Sequence, residues 1–232
     1  MQNLDVPFID LNADLGEGVT DDEGLLAIVT SANVACGYHA GDVETMRIVC
    51  EEAARLGVAV GAQVSYDDRE NFGRVARDVA YDVLRDQVAD QVTVLAVLAV
   101  AAGTRVSYVK PHGALYNRVV DDEEQARAVL DGSGDLPVLG LPGAVILTLA
   151  GERSTFREGF PDRGYTSEGR LVPRDEPGAL VEDVDEIAKN AVRLAPEVDS
   201  VCVHGDSPLA VLAATAVRRA LEADGYFLRS FT

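Results

Sequence analysis

Seven short apolar runs, each followed by a longer amphipathic segment, limit this chain more than any other feature. The runs are VPFIDLN (6–12), NVACG (33–37), VAVGAQ (58–63), SYVKP (107–111), PVLGL (137–141), TFREGF (155–160) and SVCVHG (200–205). Most are too short for helices and rich in β-branched residues, so they read as strands. The segments between them read as helices. DVETMRIVCEEAARLG opens on Asp42, a capping residue, and stops on Gly57. DDEGLLAIVTSA starts acidic, as helix N-termini prefer. Residues 78–102 read as one long helix or a pair. Strand–helix alternation means a parallel sheet with crossover helices. About seven such units in 232 residues predict an α/β fold, a single (β/α) barrel of about seven strands. A doubly wound open sheet is the alternative. No linker, repeat or low-complexity tract interrupts the pattern, so residues 1–232 are expected to form one domain.

Charge narrows the partners. The formal net charge is −19, which argues against nucleic acid and anionic membranes, since both require a basic footprint. The longest uncharged apolar run, VTVLAVLAVAAG (92–103), is too short to span a bilayer. The N-terminus MQNLDVPFIDLN lacks the basic and apolar regions of a signal peptide. Cys36, Cys50 and Cys202 are odd in number, form no C-x-x-C pair and sit in apolar contexts, as reduced thiols do. Together these predict a cytoplasmic protein. Lys110 and Lys189 are the two lysines among 20 basic residues.

Polar residues gather where the strands end. The first strand leads to Asn12, Asp14 and Glu17; the second to His39 and Asp42; the third to Gln63, Ser65 and Asp67. The fourth leads to Lys110 and His112, the sixth to Glu158, Asp162 and Arg163, the seventh to His204 and Asp206. In a β/α barrel the C-terminal ends of the strands build the active site. All three histidines lie there. Each residue taken alone reads equally well as a helix cap or a loop polar group; six strands doing it together do not.

Three stretches carry chemistry. In IDLNADLGEG, period-2 spacing puts Asp10, Asn12 and Asp14 on one side of the chain. Carboxylates there could bind a metal, act as a general base or hold a cation. In SYVKPHGALYN, the strand carries Lys110 to the barrel mouth, Pro111 ends the ladder and Gly113 permits a sharp exit, holding His112 at the rim. A Lys–His pair on a rigid strand end suits an oxyanion or carboxylate clamp with proton transfer. GFPDRGYTSEGRLVPRDEPGAL (159–180), with four glycines and three prolines, reads as an ordered loop or lid. Its Arg163 and Arg174 are candidates for gripping an acidic substrate. No P-loop, kinase set, G-x-G-x-x-G after a strand, G-x-S-x-G elbow or H-E-x-x-H occurs. Three histidines plus carboxylates on one face leave a divalent metal possible.

Six ordered stretches, DLNADLGEG, ANVACGYHAGD, RENFGR, VKPHGALYN, DRGYTSEGRLVPR and VCVHGDSP, resemble the LamB/YcsF family. The resemblance runs from about residue 8 to 225. It implies a glycoside hydrolase/deacetylase-like barrel. It also implies a role as one subunit of 5-oxoprolinase, opening 5-oxo-L-proline to L-glutamate with ATP, shared with separate B and C subunits that would bind the nucleotide. On that reading Asp14, His39, Lys110 and His112 are the catalytic candidates. Asn12, Glu17, Gln63, Asp162, Arg163, Arg174, His204 and Asp206 are the candidates for holding substrate. Two departures stand out. The family usually reads G-A-H-P-S-[YF]-P-D where this chain has GAQVSYDD, so Gln63 stands for a histidine. The segment before VCVHGD is also shorter than usual. A stand-alone metal-dependent hydrolase or deacetylase, and a non-catalytic binding subunit, are the competing expectations.

Overall fold

The structure is a computed structural model that describes residues 7–19 and 21–232. Residues 1–6 of the N-terminal segment read above, including Val6 of the first run, lie outside the described residues. The seven expected strands are present: β1 (Phe8–Leu15), β2 (Ser31–Ala35), β3 (Ala59–Val64), β4 (Val106–Pro111), β5 (Val138–Gly140), β6 (Thr155–Gly159) and β7 (Ser200–Val203). They pair in parallel in chain order, and β1 pairs with both β2 and β7, which closes the ring. The open-sheet alternative is thereby excluded. A two-residue strand, β8 (Phe227–Leu228), adds to the start of β1 outside the ring. It is too short to leave a periodic signal.

The crossovers are α1 (Asp22–Leu26), α2 (Val43–Leu56), α3 (Tyr81–Ala101), α4 (Gly113–Arg118) with α5 (Glu123–Gly132), α6 (Val145–Leu149), α7 (Val184–Leu194) and α8 (Ala210–Ala223). Asp42 caps α2 by accepting from the Thr45 N–H at 2.8 Å, and Gly57 ends it in the left-handed region, as expected. Residues 78–102 resolve into one helix, α3. The helix expected over 21–32 stops at Leu26, and β2 starts two residues before its expected run. The reason is tertiary: the Thr30 and Ser31 hydroxyls both donate to Asp10 Oδ1 at 2.6 Å, which draws this segment into the sheet. No helix among the described residues is long and apolar enough to cross a membrane.

Period-2 alternation sorts the strands into two environments. Ile9, Leu11, Ala13 and Leu15 of β1, with Val34, Val60, Ala62 and Val64, face outward and pack against the helices. Asp10, Asn12 and Asp14, in register with Ser200, Ser31 and Asn33 of the neighbouring strands, alternate with them and are equally buried. The apolar core therefore lies between barrel and helices, while the barrel lumen is polar. Barrels of this class usually fill the lumen with branched apolar side chains, so a polar lumen marks a site rather than a packing layer.

Two glycines are required by close approach. A Cβ at Gly113, whose φ is +59°, would lie 2.4 Å from the Gly73 carbonyl oxygen. The loop after β3 thus packs directly on the exit of β4. A Cβ at Gly61 would lie 2.2 Å from the Tyr108 ring, which fills the lumen opposite it. Gly61→Ala is expected to destabilise the fold by roughly 1–3 kcal/mol through overpacking. Unchanged urea unfolding would show that Tyr108 has room to move.

Candidate active site

Lys110 is the centre of the lumen. Its ammonium lies 2.9 Å from Asp14 Oδ1, 3.0 Å from Glu158 Oε1 and 3.2 Å from Cys202 Sγ, and all four side chains are buried. Burial by itself would raise the Asp14 carboxyl. The charge of Lys110, with its hydrogen bond, overrides it and holds Asp14 well below the usual carboxylate range. Burial would likewise discharge Lys110, but Asp14, Cys202 and Glu158 keep its ammonium protonated far above its ordinary value. Two amides orient the carboxylates. Asn12 Nδ2 donates to Glu158 Oε1 at 3.0 Å, and Asn33 Nδ2 donates to Asp14 Oδ1 at 2.9 Å and Asn12 Oδ1 at 2.6 Å.

A second cluster sits just above. The rings of His39 and His112 stack at 4.0 Å, with Phe72 edge-on to both. His112 Nε2 donates to the Phe72 carbonyl at 3.2 Å, while Gln63 Nε2 donates to His112 Nδ1 at 2.9 Å and to Glu17 Oε1 at 3.0 Å. These partners define the neutral imidazole with its proton on Nε2. Burial and the neighbouring His39 hold His112 well below its ordinary value, which agrees with a neutral ring. Both nitrogens of His39 are buried without a hydrogen-bond partner, as is Gln63 Oε1. One ligand atom each of Glu17, His39 and His112 lies within 4.8 Å of the other two. Two imidazoles, one carboxylate and orphaned buried nitrogens fit a divalent cation such as zinc.

The mouth is covered by the loop after β6. It is ordered by antiparallel bridges between Arg163 and Leu180 and between Tyr165 and Leu171. Arg163 donates through Nε to the Ala179 carbonyl at 3.0 Å and through Nη2 to Val172 at 2.7 Å, so its guanidinium braces the loop. Arg174 and Arg74 both pair with Asp206, Arg174 at 3.2 Å. Arg170 pairs with Asp121. Asp162 accepts the His204 backbone N–H and Nδ1–H, each at 2.9 Å, which turns Nε2 free of that carboxylate. His204 stacks on Phe160 at 5.1 Å, and Lys110 Nζ stands 5.4 Å from the same ring. These groups line a cavity of about 510 Å³ that reaches down to Asp14, Lys110 and His112. Arg74, Lys110, Arg163, Arg170 and Arg174 all border it, a concentration of positive charge on a chain whose net charge is −19.

The sequence candidates thus fall into three levels rather than one rim. Asn12, Asp14, Gln63 and Lys110 are strand residues inside the lumen, not residues beyond strand ends. Glu17, His39 and His112 lie at the next level with the Gln63 amide. Asp162, Arg163, Arg174, His204 and Asp206 form the mouth. Glu158 is as central as Asp14, although its sequence position suggested only a strand-end carboxylate. Arg74 and Arg170 received no role from the sequence; their positions in RENFGR and DRGYTSEGRLVPR were the available signal.

Comparison with known proteins places this geometry. A profile of the LamB/YcsF family matches residues 9–232. The A subunit of 5-oxoprolinase from Streptomyces avermitilis is 54% identical, over 97% of this chain and 100% of that one. The A subunit of 5-oxoprolinase from Mycolicibacterium gilvum is 50% identical, over 97% and 99%. Among solved structures, a lactam utilization protein from Thermus thermophilus superposes with a TM-score of 0.89 at 34% identity, over 97% of this chain and 100% of that one. A family 4 carbohydrate esterase from Streptomyces lividans shares the fold at a TM-score of 0.56 and 12% identity, over 97% and 92%.

Proposed function

The chain belongs to the LamB/YcsF family, and on that premise we propose that it is the A subunit of a 5-oxoprolinase. The reaction is hydrolysis of the cyclic amide 5-oxo-L-proline to L-glutamate, coupled to ATP and shared with separate B and C subunits. The observation that carries this reading is the arginine-bordered cavity leading to Lys110 and its two buried carboxylates. A small carboxylate substrate is drawn to the arginines. Arg174 and Arg74 can exchange Asp206 for the substrate carboxylate, and the Phe160 face accommodates a flat ring.

Within the site, the Lys110 ammonium is placed to take up charge developing on the amide oxygen. His112, neutral, and Asp14 are the candidates to remove a proton from attacking water. The C–N bond of the ring then breaks, and the departing nitrogen takes a proton, for which His204 is positioned at the cavity side. An unactivated amide resists this attack. Phosphorylation of its oxygen by ATP, with release of ADP, would make the ring carbon electrophilic. Water addition and C–N cleavage would then leave an acyl phosphate, whose hydrolysis gives L-glutamate and inorganic phosphate. The sequence has no recognisable phosphate-binding loop for the phosphorylation. ATP therefore belongs to the partners in this reading. A bound cation would be held by Glu17, His39 and His112 and would polarise a carbonyl or a water.

That cation cluster favours a second reading, in which the chain alone is a metal-dependent hydrolase. One experiment separates the two. The purified chain is assayed for glutamate and ADP with 5-oxo-L-proline and ATP, alone and with the B and C subunits from the same genome. Glutamate and ADP are expected only in the complete mixture. Glutamate formed by the chain alone with added zinc, without ATP, would establish the second reading; no glutamate from the complete mixture would sink the first.

A further inference from the structure

The lumen is polar along its whole length, and its lower half has no place in the chemistry above. Asp10 lies there, two residues below Asn12 on β1 and fully buried. Its Oδ1 accepts two hydroxyls, Thr30 and Ser31, each at 2.6 Å, and its Oδ2 accepts the Ser200 hydroxyl. Ser200 Oγ in turn accepts Asn12 Nδ2 at 2.6 Å. The same Asn12 nitrogen donates to Glu158 Oε1 at 3.0 Å, and that oxygen is 3.0 Å from the Lys110 ammonium. Three hydrogen bonds and an ion pair therefore join Asp10 to Lys110 without a break. The bottom is sealed. Phe231 packs on Tyr108 and Phe156 at 4.9 and 4.4 Å, and the Ser230 and Ser31 hydroxyl oxygens lie 3.1 Å apart.

We propose that Asp10 is a positioning residue that acts through the Ser200 hydroxyl and the Asn12 amide to orient Glu158 against Lys110. This inference rests on Lys110 and Glu158 belonging to the working site, and it holds whichever hydrolysis they serve. The direction of each bond carries the argument. With Asp10 ionised, the Ser200 hydrogen points at Oδ2, and the Ser200 lone pairs are left to receive Asn12. A proton on Asp10 has room only at Oδ2, because Oδ1 already takes two donors. It displaces the Ser200 hydrogen, which then either takes the third position on Oγ, where the structure gives it no acceptor, or crowds the Asn12 donor. Either way the Ser200 anchor of the amide is weakened. Glu158 is then held by Lys110 without a fixed Asn12. Burial, opposed by the hydroxyls of Ser200, Ser31 and Thr30, raises Asp10 to about 6, so the change falls within reach of ordinary pH. The titratable groups facing Asp10 are Glu158 on β6, whose charge pushes in the same direction, and the Tyr108 phenol on β4, which burial keeps neutral. β2, β7 and the C-terminal segment present hydroxyls to it.

The test needs no turnover. The chain has two lysines, so carbon-13 labelling of lysine Cε gives two signals by nuclear magnetic resonance, assigned by Lys189→Arg. In the native chain the Lys110 signal is expected to shift with an inflection near pH 6. Asp10→Asn places an amide NH₂ opposite Ser200, as a protonated Asp10 would. At pH 8 its Lys110 signal is expected near the acid position of the native chain, with no inflection. Ser200→Ala keeps Asp10 but cuts the chain, and its Lys110 signal is expected to be flat through the same range. An inflection that survives in either variant belongs to another group and overturns the proposal. So does an Asp10→Asn chain that melts earlier while its Lys110 signal follows the native one, since that is a purely structural role. If Asp10→Asn fails to fold, the Ser200→Ala titration decides alone.

Discussion

Lys110→Met is expected to slow ring opening in the complete enzyme by about a hundredfold or more, and to cost roughly 3–5 kcal/mol of stability. Both effects have one cause. The ammonium is the single positive charge between Asp14 and Glu158, at 2.9 and 3.0 Å. Removing it leaves two buried carboxylates without a counter-charge, and breaking a buried pair from one side costs more than the pair is worth. The sign of the pH dependence separates this from a simple packing defect. In the native chain Asp14 is depressed, so its contribution is present above the unfolded value of about 3.9 and lost as pH falls through the folded value. Without Lys110, burial dominates at Asp14, and its folded carboxyl titrates above its unfolded value. Its contribution is then full only below the unfolded value and is lost as pH rises. The deficit in melting temperature should be largest at pH 8 and narrow toward pH 5. Equal deficits at both pH values, or native turnover, would remove Lys110 from the centre of the site.

His112→Ala is expected to lower the rate by roughly 10²–10⁴, the usual worth of a positioned acid or base, with little change in unfolding. The ring is clamped on both nitrogens, by the Phe72 carbonyl and the Gln63 amide. It packs against the His39 ring rather than within the main apolar core. Zinc binding, read by equilibrium dialysis, should fall in parallel, because His112 supplies one of three ligand atoms. The same cluster fixes what to expect of Gln63. Its amide donates to Glu17 and His112 at once, and one imidazole nitrogen at that position could serve only one of them. Gln63→Ala should therefore slow turnover, while Gln63→His should leave it within a few fold. A tenfold gain in Gln63→His, about 1.4 kcal/mol of transition-state stabilisation, would mark the glutamine as a weakened substitute. Undiminished turnover in His112→Ala would assign the cluster to structure.

Much of the architecture is legible in the sequence alone. Seven β-branched runs separated by capped amphipathic segments lead to a seven-membered parallel barrel, and the ring closes as expected. The cap at Asp42 and the stop at Gly57 are one-residue signals that the structure repeats. Errors came where a tertiary contact outweighs local propensity. Helix α1 is short because Thr30 and Ser31 are bound to Asp10, about 20 residues away in the chain. Arg163 has a second role that the sequence does not show: it borders the cavity while its Nε and Nη2 donate to the carbonyls of Ala179 and Val172, a geometry that exists only once the loop has folded back.

What the sequence determined by itself is local: which segments are strands, and that Asp10, Asn12 and Asp14 share one side of β1. Both follow from the period of two between neighbouring residues. Whether that side faced helices or lumen was decided by ring closure. Only closure and inter-strand register bring Asp14 to Lys110 across 96 residues of chain, and Asn12 to Glu158 across 146. The unusual consequence, a polar lumen with apolar residues outside it, comes from the same source. Alternation is identical for a strand turned either way, and the choice is made by which face the surrounding helices can cover.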